Sequence, residues 1–379
     1  MKVAILGGGP AGLYAAYLLK RQNPNAQIDL YEQNAADVTF GFGVVLSDRA
    51  LEFLAADDPE THDAIVRDLE AWKDITIRHQ GQSIRIDGVG FTAVGRLRLL
   101  QILQQRARSV GVEPRFGVTV KSLDELADAD IVVAADGVNS LVRRTHAEEF
   151  GATVTYLNNR FAWFGARRTF NTLTQTFRET PLGHFNAHHY RFSPELSTFI
   201  VEVDPETFQS AGFERMDEDA SRLLCQNVFA EELEGAELIC NRSIWRQFPI
   251  VHNDRWSVGN RVLVGDALHT AHFSIGSGTR LAFEDVIALA KAVGEHPNSV
   301  PDALAAYEAA RRPILQKLTH AANTSAEWYE HFPEHMRLAP WEFAMSYISR
   351  SGRLDRERLR RMSPHFVQAY EENSLQGTG

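Results

Sequence analysis

Lys2-Val3-Ala4-Ile5-Leu6 is an apolar run, and Gly7-Gly8-Gly9-Pro10-Ala11-Gly12 follows it at once. The run has the width of a buried parallel strand, and the helical pattern Leu13, Ala16, Tyr17, Leu18, Lys20 comes next. Strand, glycine turn and helix at Gly-x-Gly-x-x-Gly spacing make a dinucleotide site. Gly7 supplies the tight turn, Gly9 lets the backbone approach a pyrophosphate, and Gly12 lets the helix lie close on the sheet. The helix that starts at Pro10 offers free N–H groups, from Ala11 onward, and a positive dipole end to phosphates. Twenty residues past Gly12, after a second strand at Ile28-Asp29-Leu30-Tyr31, stands Glu32. A carboxylate there can take both hydroxyls of an adenosine ribose, and Gln33 beside it belongs to the same site.

Outward from this stretch, Leu97 to Arg108 reads as a helix, and Val118-Thr119-Val120 and Ile131-Val132-Val133-Ala134-Ala135 read as strands. The second of these strands is apolar throughout, as a central parallel strand is. Between Thr155 and Val203, aromatic and β-branched residues alternate with polar ones, which predicts antiparallel strands with one packed face. Arg261-Val262-Leu263-Val264-Gly265 returns to the parallel pattern, and helices dominate after Leu281. Gly377-Thr378-Gly379 is expected to fray.

Two more loops end predicted parallel strands, where open α/β sheets bind ligands. One is Asp136-Gly137-Val138-Asn139-Ser140. The other is Gly265-Asp266-Ala267-Leu268-His269, followed by Gly276-Ser277-Gly278-Thr279 and a helix from about Arg280. Asp266 is placed to hold a ribityl chain or, through water, a pyrophosphate. The helix start near Gly276, Gly278 and Thr279 would stabilise the negative charge of a reduced flavin. Singly, Asp-Gly and Gly-Asp are ordinary turns; three such loops in order on one sheet point to non-covalently bound FAD. The expected fold class is α/β: a discontinuous Rossmann-like FAD domain with a parallel sheet, an inserted antiparallel substrate sheet, and C-terminal helices. Its expected segments are 1–76, 91–153 and 259–318 for the FAD domain, 77–90 and 154–258 for the substrate sheet, and 319–379 for the helical region.

The three loops resemble the fingerprints of single-component FAD-dependent aromatic hydroxylases of the para-hydroxybenzoate hydroxylase type. Arg96-Leu97-Arg98-Leu99, with Leu103 beyond, resembles that family's Arg-x-x-Leu-x-x-x-Leu helix, which implies that Arg96 contacts FAD. Gly41 to Asp48, Asp58 to His62, Gly95-Arg96, Ser197 to Glu202 and Ala271 to Thr279 narrow the resemblance. They are similar to the branch acting on aromatic acyl-CoA thioesters, which includes salicyloyl-CoA 5-hydroxylase and the monooxygenase half of 2-aminobenzoyl-CoA monooxygenase/reductase. Indole and tryptophan hydroxylases of violacein-type pathways share several of these strings. Many family members place proline where this chain has Phe273, so contacts of para-hydroxybenzoate enzymes do not transfer directly. No fused reductase is expected in this chain, and a plain hydroxylase is the expected form.

The resemblance implies that NADH or NADPH reduces the flavin at a transient site, since no second glycine fingerprint exists. It implies that O2 then gives a flavin C4a-hydroperoxide, whose distal oxygen an electron-rich ring attacks. The implied reaction is salicyloyl-CoA to 2,5-dihydroxybenzoyl-CoA (gentisyl-CoA). Such chemistry needs a closed apolar pocket and a group that handles the phenol proton.

The stretch His184 to Phe192 reads as a strand, with His188, Tyr190 and Phe192 on one face and His189 and Arg191 on the other. His188 and Tyr190 are therefore candidates to face the substrate, although that face could simply pack the sheet. His272, beside Phe273, is the third catalytic candidate, while His269 reads as an ordering residue for the Asp266 loop. Phe164, Phe199, Phe248 and Phe273 are candidate substrate walls, with Trp163 as a further aromatic. Arg167-Arg168 and Arg350 to Arg361 are visible basic clusters that CoA phosphates could use, or plain solvated faces.

The 379 residues carry a formal net charge of -10. That argues against a general nucleic-acid binder. Hydrophobic residues make up 44% of the chain, and the mean hydropathy of -0.25 fits a large core inside a water-facing protein. No apolar run is long enough to span a bilayer. Cys225 and Cys240 form no metal or redox pair by spacing, so no metal site is expected. A strand beginning at Lys2 leaves no signal peptide, and a cytoplasmic monomer or homodimer is expected. The alternatives are an FAD-dependent hydroxylase of a free indole or tryptophan-derived substrate, a flavin reductase without oxygen insertion, and an FAD-bound sensor.

Overall fold

The computed structural model describes residues 1–47 and 51–376. Asp48, within one family-like string, and the expected frayed end Gly377-Thr378-Gly379 lie outside the described residues.

Strand Lys2–Leu6 lies inside a six-stranded sheet, flanked by Ile131–Ala134 and Gln27–Glu32. Val3 pairs with Ile28 on one side and Ile131 on the other, both in parallel register. Arg261–Leu263 and Arg115–Phe116 extend the sheet in parallel, and Ser257–Val258 closes one edge antiparallel. Parallel pairing brings the carboxyl ends of Lys2–Leu6, Ile131–Ala134 and Arg261–Leu263 to one edge. The glycine loop, the Asp136 loop and the Asp266 loop therefore meet there. Ile131–Ala134 is buried along its whole length, as its unbroken apolar run requires. The expected strand Val118-Thr119-Val120 is irregular instead; the strand lies just before it, at Arg115–Phe116. Gly117, at φ 71°, turns the chain out of the sheet.

Helix Pro10–Gln22 packs between helices Arg96–Ser109 and Gly278–Glu295. It begins with proline at its first turn, where no N–H is needed, and ends on Lys20 and Arg21, which suit its dipole.

The second sheet has eight strands. Its antiparallel centre runs Thr153–Ala166, Ser197–Val203, Gly183–Arg191, Leu173–Thr180. Arg246–His252 pairs with the long strand Thr153–Ala166. Ile75–His79 joins Leu173–Thr180 in parallel and carries Gln82–Ile86, so the sheet is built from separated chain segments. Register sorts its faces: Trp163 pairs with Ile200, and His188 pairs with Ile200 and Gln175, so these side chains share one face. Phe164 pairs with Phe199, which pairs with His189, on the other face. Gly43–Ser47, Phe91–Gly95 and Glu70–Trp72 form a third, three-stranded sheet. Helix Val300–Glu330 runs from the first sheet to the second, so the expected boundary at 318/319 falls inside one continuous helix. Among the described residues, no helix is long and apolar enough to cross a membrane.

Candidate active site

At the nucleotide edge the glycines have distinct jobs. Gly7 sits at φ 97°, donates its N–H to Tyr31 O at 2.8 Å, and leaves no space for a Cβ, which would lie 2.3 Å from Ala135 O. A Cβ on Gly12 would lie 1.8 Å from Gly7 O. Gly9 differs: its backbone is ordinary, and a Cβ there would meet nothing within 4 Å. Gly9 thus borders open space at a helix N-terminus whose first turn carries no acidic residue. Glu32 accepts the Gly8 N–H at 2.7 Å on one oxygen and both the N–H and side-chain amide of Asn34, each at 2.7 Å, on the other. Oε2, which accepts only the Gly8 N–H, retains a further acceptor site for a ribose hydroxyl. The residue thus fixes the turn, and Gln33 beside it is exposed.

The other two loops are latched together. Arg143 donates to Ala267 O at 2.8 Å and to Val138 O. Asp136 accepts the Leu141 N–H at 2.7 Å on one oxygen, while the other is buried without a partner. Burial raises the pKa of this carboxyl, opposed by Ser140 and the Leu141 N–H. Asp285, fully buried, holds the third loop. It accepts from Gly265 N at 3.2 Å and Arg311 Nε at 2.9 Å and bonds His269 Nε2 at 2.6 Å. His269 is thus tied to loop order. Asp266 and Arg96 have no side-chain hydrogen bond or ion pair among the described residues, yet each feels the other's charge. Burial lowers the Arg96 pKa and raises that of Asp266, and each opposes the shift of the other. Gly276, at φ 58°, lies so near Val45 that a Cβ would come within 2.9 Å of its side chain. Gly278 and Thr279 then open helix Gly278–Glu295, whose first turn carries no acidic residue. Open space at Gly9, an orphaned Asp136 oxygen and an unengaged Arg96–Asp266 pair fit a bound dinucleotide.

Beside this edge, Phe273 stands at the centre of an aromatic cluster. Its ring centroid is 5.0 Å from Phe161, 5.1 Å from His188, 6.1 Å from both Trp163 and Phe248, and 4.2 Å from His272. Phe248, Phe273, His188 and His272 are therefore brought together. Phe164 and Phe199 are not, and this corrects the expectation for both. They face the opposite side of the sheet, in a core with Phe185 and Phe229, because a strand residue one step out of parity points away. Tyr190 shares the His188 face, but its hydroxyl donates to Gly43 O at 3.1 Å and its ring packs near Trp72. It positions the strand that begins at Gly43.

Under the cluster lies a buried polar set. Tyr329 OH donates to Gln175 Oε1 at 3.2 Å, which leaves the amide nitrogen to donate to His188 Nδ1 at 2.9 Å. This assignment puts the His188 proton on Nε2, 3.4 Å from Glu202 Oε2. Neither of those two atoms has a hydrogen-bond partner. Asn159 donates to the other Glu202 oxygen at 3.0 Å. His272 Nδ1 bonds Ser274 Oγ at 2.9 Å, and Ser274 bonds Ser325 at 2.9 Å. Arg350 binds Ser325 Oγ at 3.0 Å and Ser274 O at 2.8 Å while lying 3.9 Å over the Tyr347 ring. Burial, then the Arg350 charge, pushes the His188 pKa far down. Burial pushes His272 to about 4, with Glu202 opposing. Burial also raises the Glu202 pKa, opposed by His272 and Asn159. Both imidazoles are therefore neutral near pH 7.

Sequence reasoning missed Glu202, Gln175 and Tyr329 as site residues, and gave Arg350 a different task. Glu202 had one readable signal, as a carboxylate in the otherwise apolar run Phe199-Ile200-Val201-Glu202-Val203. Arg168 pairs with Glu234 at 2.8 Å, and Arg360 pairs with Glu371 at 2.6 Å.

A dinucleotide edge beside a buried aromatic cluster with neutral imidazoles fits a flavin-dependent aromatic monooxygenase. The chain belongs to the FAD binding domain family, whose profile matches residues 124–322, and a profile for an NAD(P)-binding Rossmann-like domain matches residues 5–37. These matches support FAD and NAD(P)H as its cofactors. The chain is 42% identical to a salicyloyl-CoA 5-hydroxylase from Streptomyces sp, over 93% of this chain and 70% of that one. It is 37% identical to a 3-hydroxy-4-methyl-anthranilyl-[aryl-carrier protein] 5-monooxygenase from Streptosporangium sibiricum, over 88% of this chain and 90% of that one. It is 36% identical to a protodeoxyviolaceinate monooxygenase from Chromobacterium violaceum, over 92% and 94%.

Proposed function

We propose that this enzyme hydroxylates an aromatic acyl-CoA thioester, with salicyloyl-CoA as substrate and 2,5-dihydroxybenzoyl-CoA as product, consuming NAD(P)H and O2. The observation that carries this reading is the 42% identity, spread over 93% of the chain, to an enzyme named for that reaction. The second relative, named for an anthranilyl group on a carrier protein, also supports a thioester.

Bound FAD, held by the glycine loop, Glu32, Asp136, Asp266 and Arg96, supplies hydride acceptance and oxygen activation. The chain's own residues do the rest. Phe161, Trp163, Phe248 and Phe273 surround the ring and exclude water, which protects a reactive oxygen species from wasteful breakdown. A hydroxyl on the ring makes the carbon para to it nucleophilic, more so as its proton is withdrawn; in salicylate that carbon is position 5. Glu202 receives this proton, with the His188 Nε2–H beside it and His272, kept neutral by burial, sensing its charge. Tyr190 and Arg350 hold the strand and loop that frame the ring.

The test is incubation of the holoenzyme with salicyloyl-CoA, NAD(P)H and isotopically heavy dioxygen. One heavy oxygen on the ring of the thioester is expected. NAD(P)H consumption with no oxygenated thioester would overturn the reading, and oxygenation of a free indole instead would establish the alternative.

A further inference from the structure

A groove of about 890 Å³ opens beside the cofactor edge, and its lining includes Arg67, Arg96, Arg98, Arg242, Gly41 and Phe192. Cavities of roughly 300–1,000 Å³ hold ligands of cofactor size. Of the residues assigned to FAD, Arg96 alone lines it, so the groove borders the nucleotide cradle at that residue.

Its charge is unusual for a protein of formal net charge -10. Arg98 is neutralised by Asp68 at 2.9 Å, and Glu70 by Arg191 at 2.7 Å. Arg67 and Arg242 have no side-chain hydrogen bond or ion pair among the described residues, and Asp37 is the one remaining acid in the lining. Arg242 is held in a costly backbone conformation, at φ 55°. Its neighbour Asn241 fixes it there by donating to Thr39 O at 3.0 Å and Gly41 O at 2.8 Å. The guanidinium lies 4.6 Å over the Phe40 ring, with its donors unused. Unpaired, fork-shaped donors of this kind match phosphate oxygens.

The groove also comes close to the aromatic cluster. Gly41 lines the groove, and a Cβ on it would lie 3.5 Å from the Trp163 ring, which contacts Phe273. A thin wall of Gly41 and Phe42 therefore separates an aromatic end from a cationic end.

We propose that this groove binds the 3′-phospho-ADP end of the CoA thioester, with Arg67 and Arg242 as its phosphate ligands and the pantetheine arm passing Gly41. The assignment rests on the substrate reading above and adds to it the residues that recognise CoA. The phosphorylated adenosine of NADPH shares the same chemistry, so the test separates the two.

The experiment compares KM for salicyloyl-CoA, salicyloyl-pantetheine and NADPH in wild type and in the double variant Arg67→Ala/Arg242→Ala. The wild type should favour the CoA thioester over the pantetheine thioester. In the double variant KM for the CoA thioester should rise about tenfold, the scale of lost charged hydrogen bonds. The preference should collapse, and the effect should shrink as salt rises. Adenosine 3′,5′-bisphosphate should compete with salicyloyl-CoA in wild type and lose that effect in the variant. A preserved CoA preference in the variant overturns the groove assignment while the substrate reading stands. A rise confined to NADPH overturns it in favour of the nicotinamide nucleotide. Failure to hydroxylate either thioester removes the substrate reading and this assignment together.

Discussion

The nucleotide edge and the aromatic pocket lie side by side but are built in opposite ways. At the edge, backbone geometry does nearly everything: Gly7, Gly12 and Glu32 shape one turn, and Arg143 latches the two remaining loops. In the pocket, each important group comes from a different part of the chain: Asn159, Gln175, His188, Glu202, Phe248, Phe273, Tyr329 and Arg350. The edge has hydrogen-bonding capacity waiting for a ligand, and its backbone is over-determined. The pocket instead stores strain as buried, incompletely satisfied polar groups, His188 Nε2 and Glu202 Oε2 among them. A rigid cradle suits a resident cofactor, whereas uncompensated buried groups suit a proton that comes and goes.

The sharpest break in this contrast is Gly12→Val. A side chain 1.8 Å from Gly7 O cannot be accommodated without moving the turn, so the variant should lose its flavin absorbance and melt at a lower temperature. A yellow variant of unchanged stability would show that the turn is softer than described.

The pocket should announce itself through pH. His272 is held at about 4, against an ordinary value near 6.5, so the folded state binds fewer protons than the unfolded one between these values. The stabilisation is complete above about pH 6.5 and is lost as pH falls toward about 4, by roughly 3 kcal/mol in full. His188, lowered by the same burial, acts in the same direction. Urea midpoints taken across this window should fall with pH in wild type and fall less steeply in His272→Phe. Parallel slopes would place the titration elsewhere.

Glu202→Gln separates chemistry from cofactor retention. It should keep FAD but slow hydroxylation about a hundredfold, the low end of what a positioned proton acceptor contributes. Asp266→Ala should do the reverse, weakening FAD binding about tenfold, as loss of one charged contact does, while the pocket stays intact. If either variant showed the other's phenotype, the division between edge and pocket would be wrong. The mildest test is a pair: Phe248→Leu should raise uncoupled NAD(P)H oxidation, whereas Phe199→Leu should cost about 1 kcal/mol of stability and leave coupling alone.

The same contrast explains what could be read in advance. The glycine turn, Glu32 and the Asp136 and Asp266 loops are contiguous strings, and parallel register alone brings them to one edge. Strand parity along His184 to Phe192 was also legible, because it needs only one strand. Parity between strands was not: placing Phe164 and Phe199 requires knowing that they pair with each other and with His189. Tyr190 could be assigned a face but not a partner, since Gly43 reaches it through a third sheet. Arg350 looked like one of a basic series. Its role depends on Ser274 and Ser325, which only the long helix Val300–Glu330 brings close.

The most direct measurement is anaerobic reduction of the yellow holoenzyme by NADH and by NADPH, with and without salicyloyl-CoA, followed by admission of oxygen and mass analysis of the thioester. Faster bleaching in the presence of the thioester, then one oxygen added to its ring, is the expected result. Bleaching indifferent to salicyloyl-CoA, with the thioester recovered unchanged, would contradict the assignment.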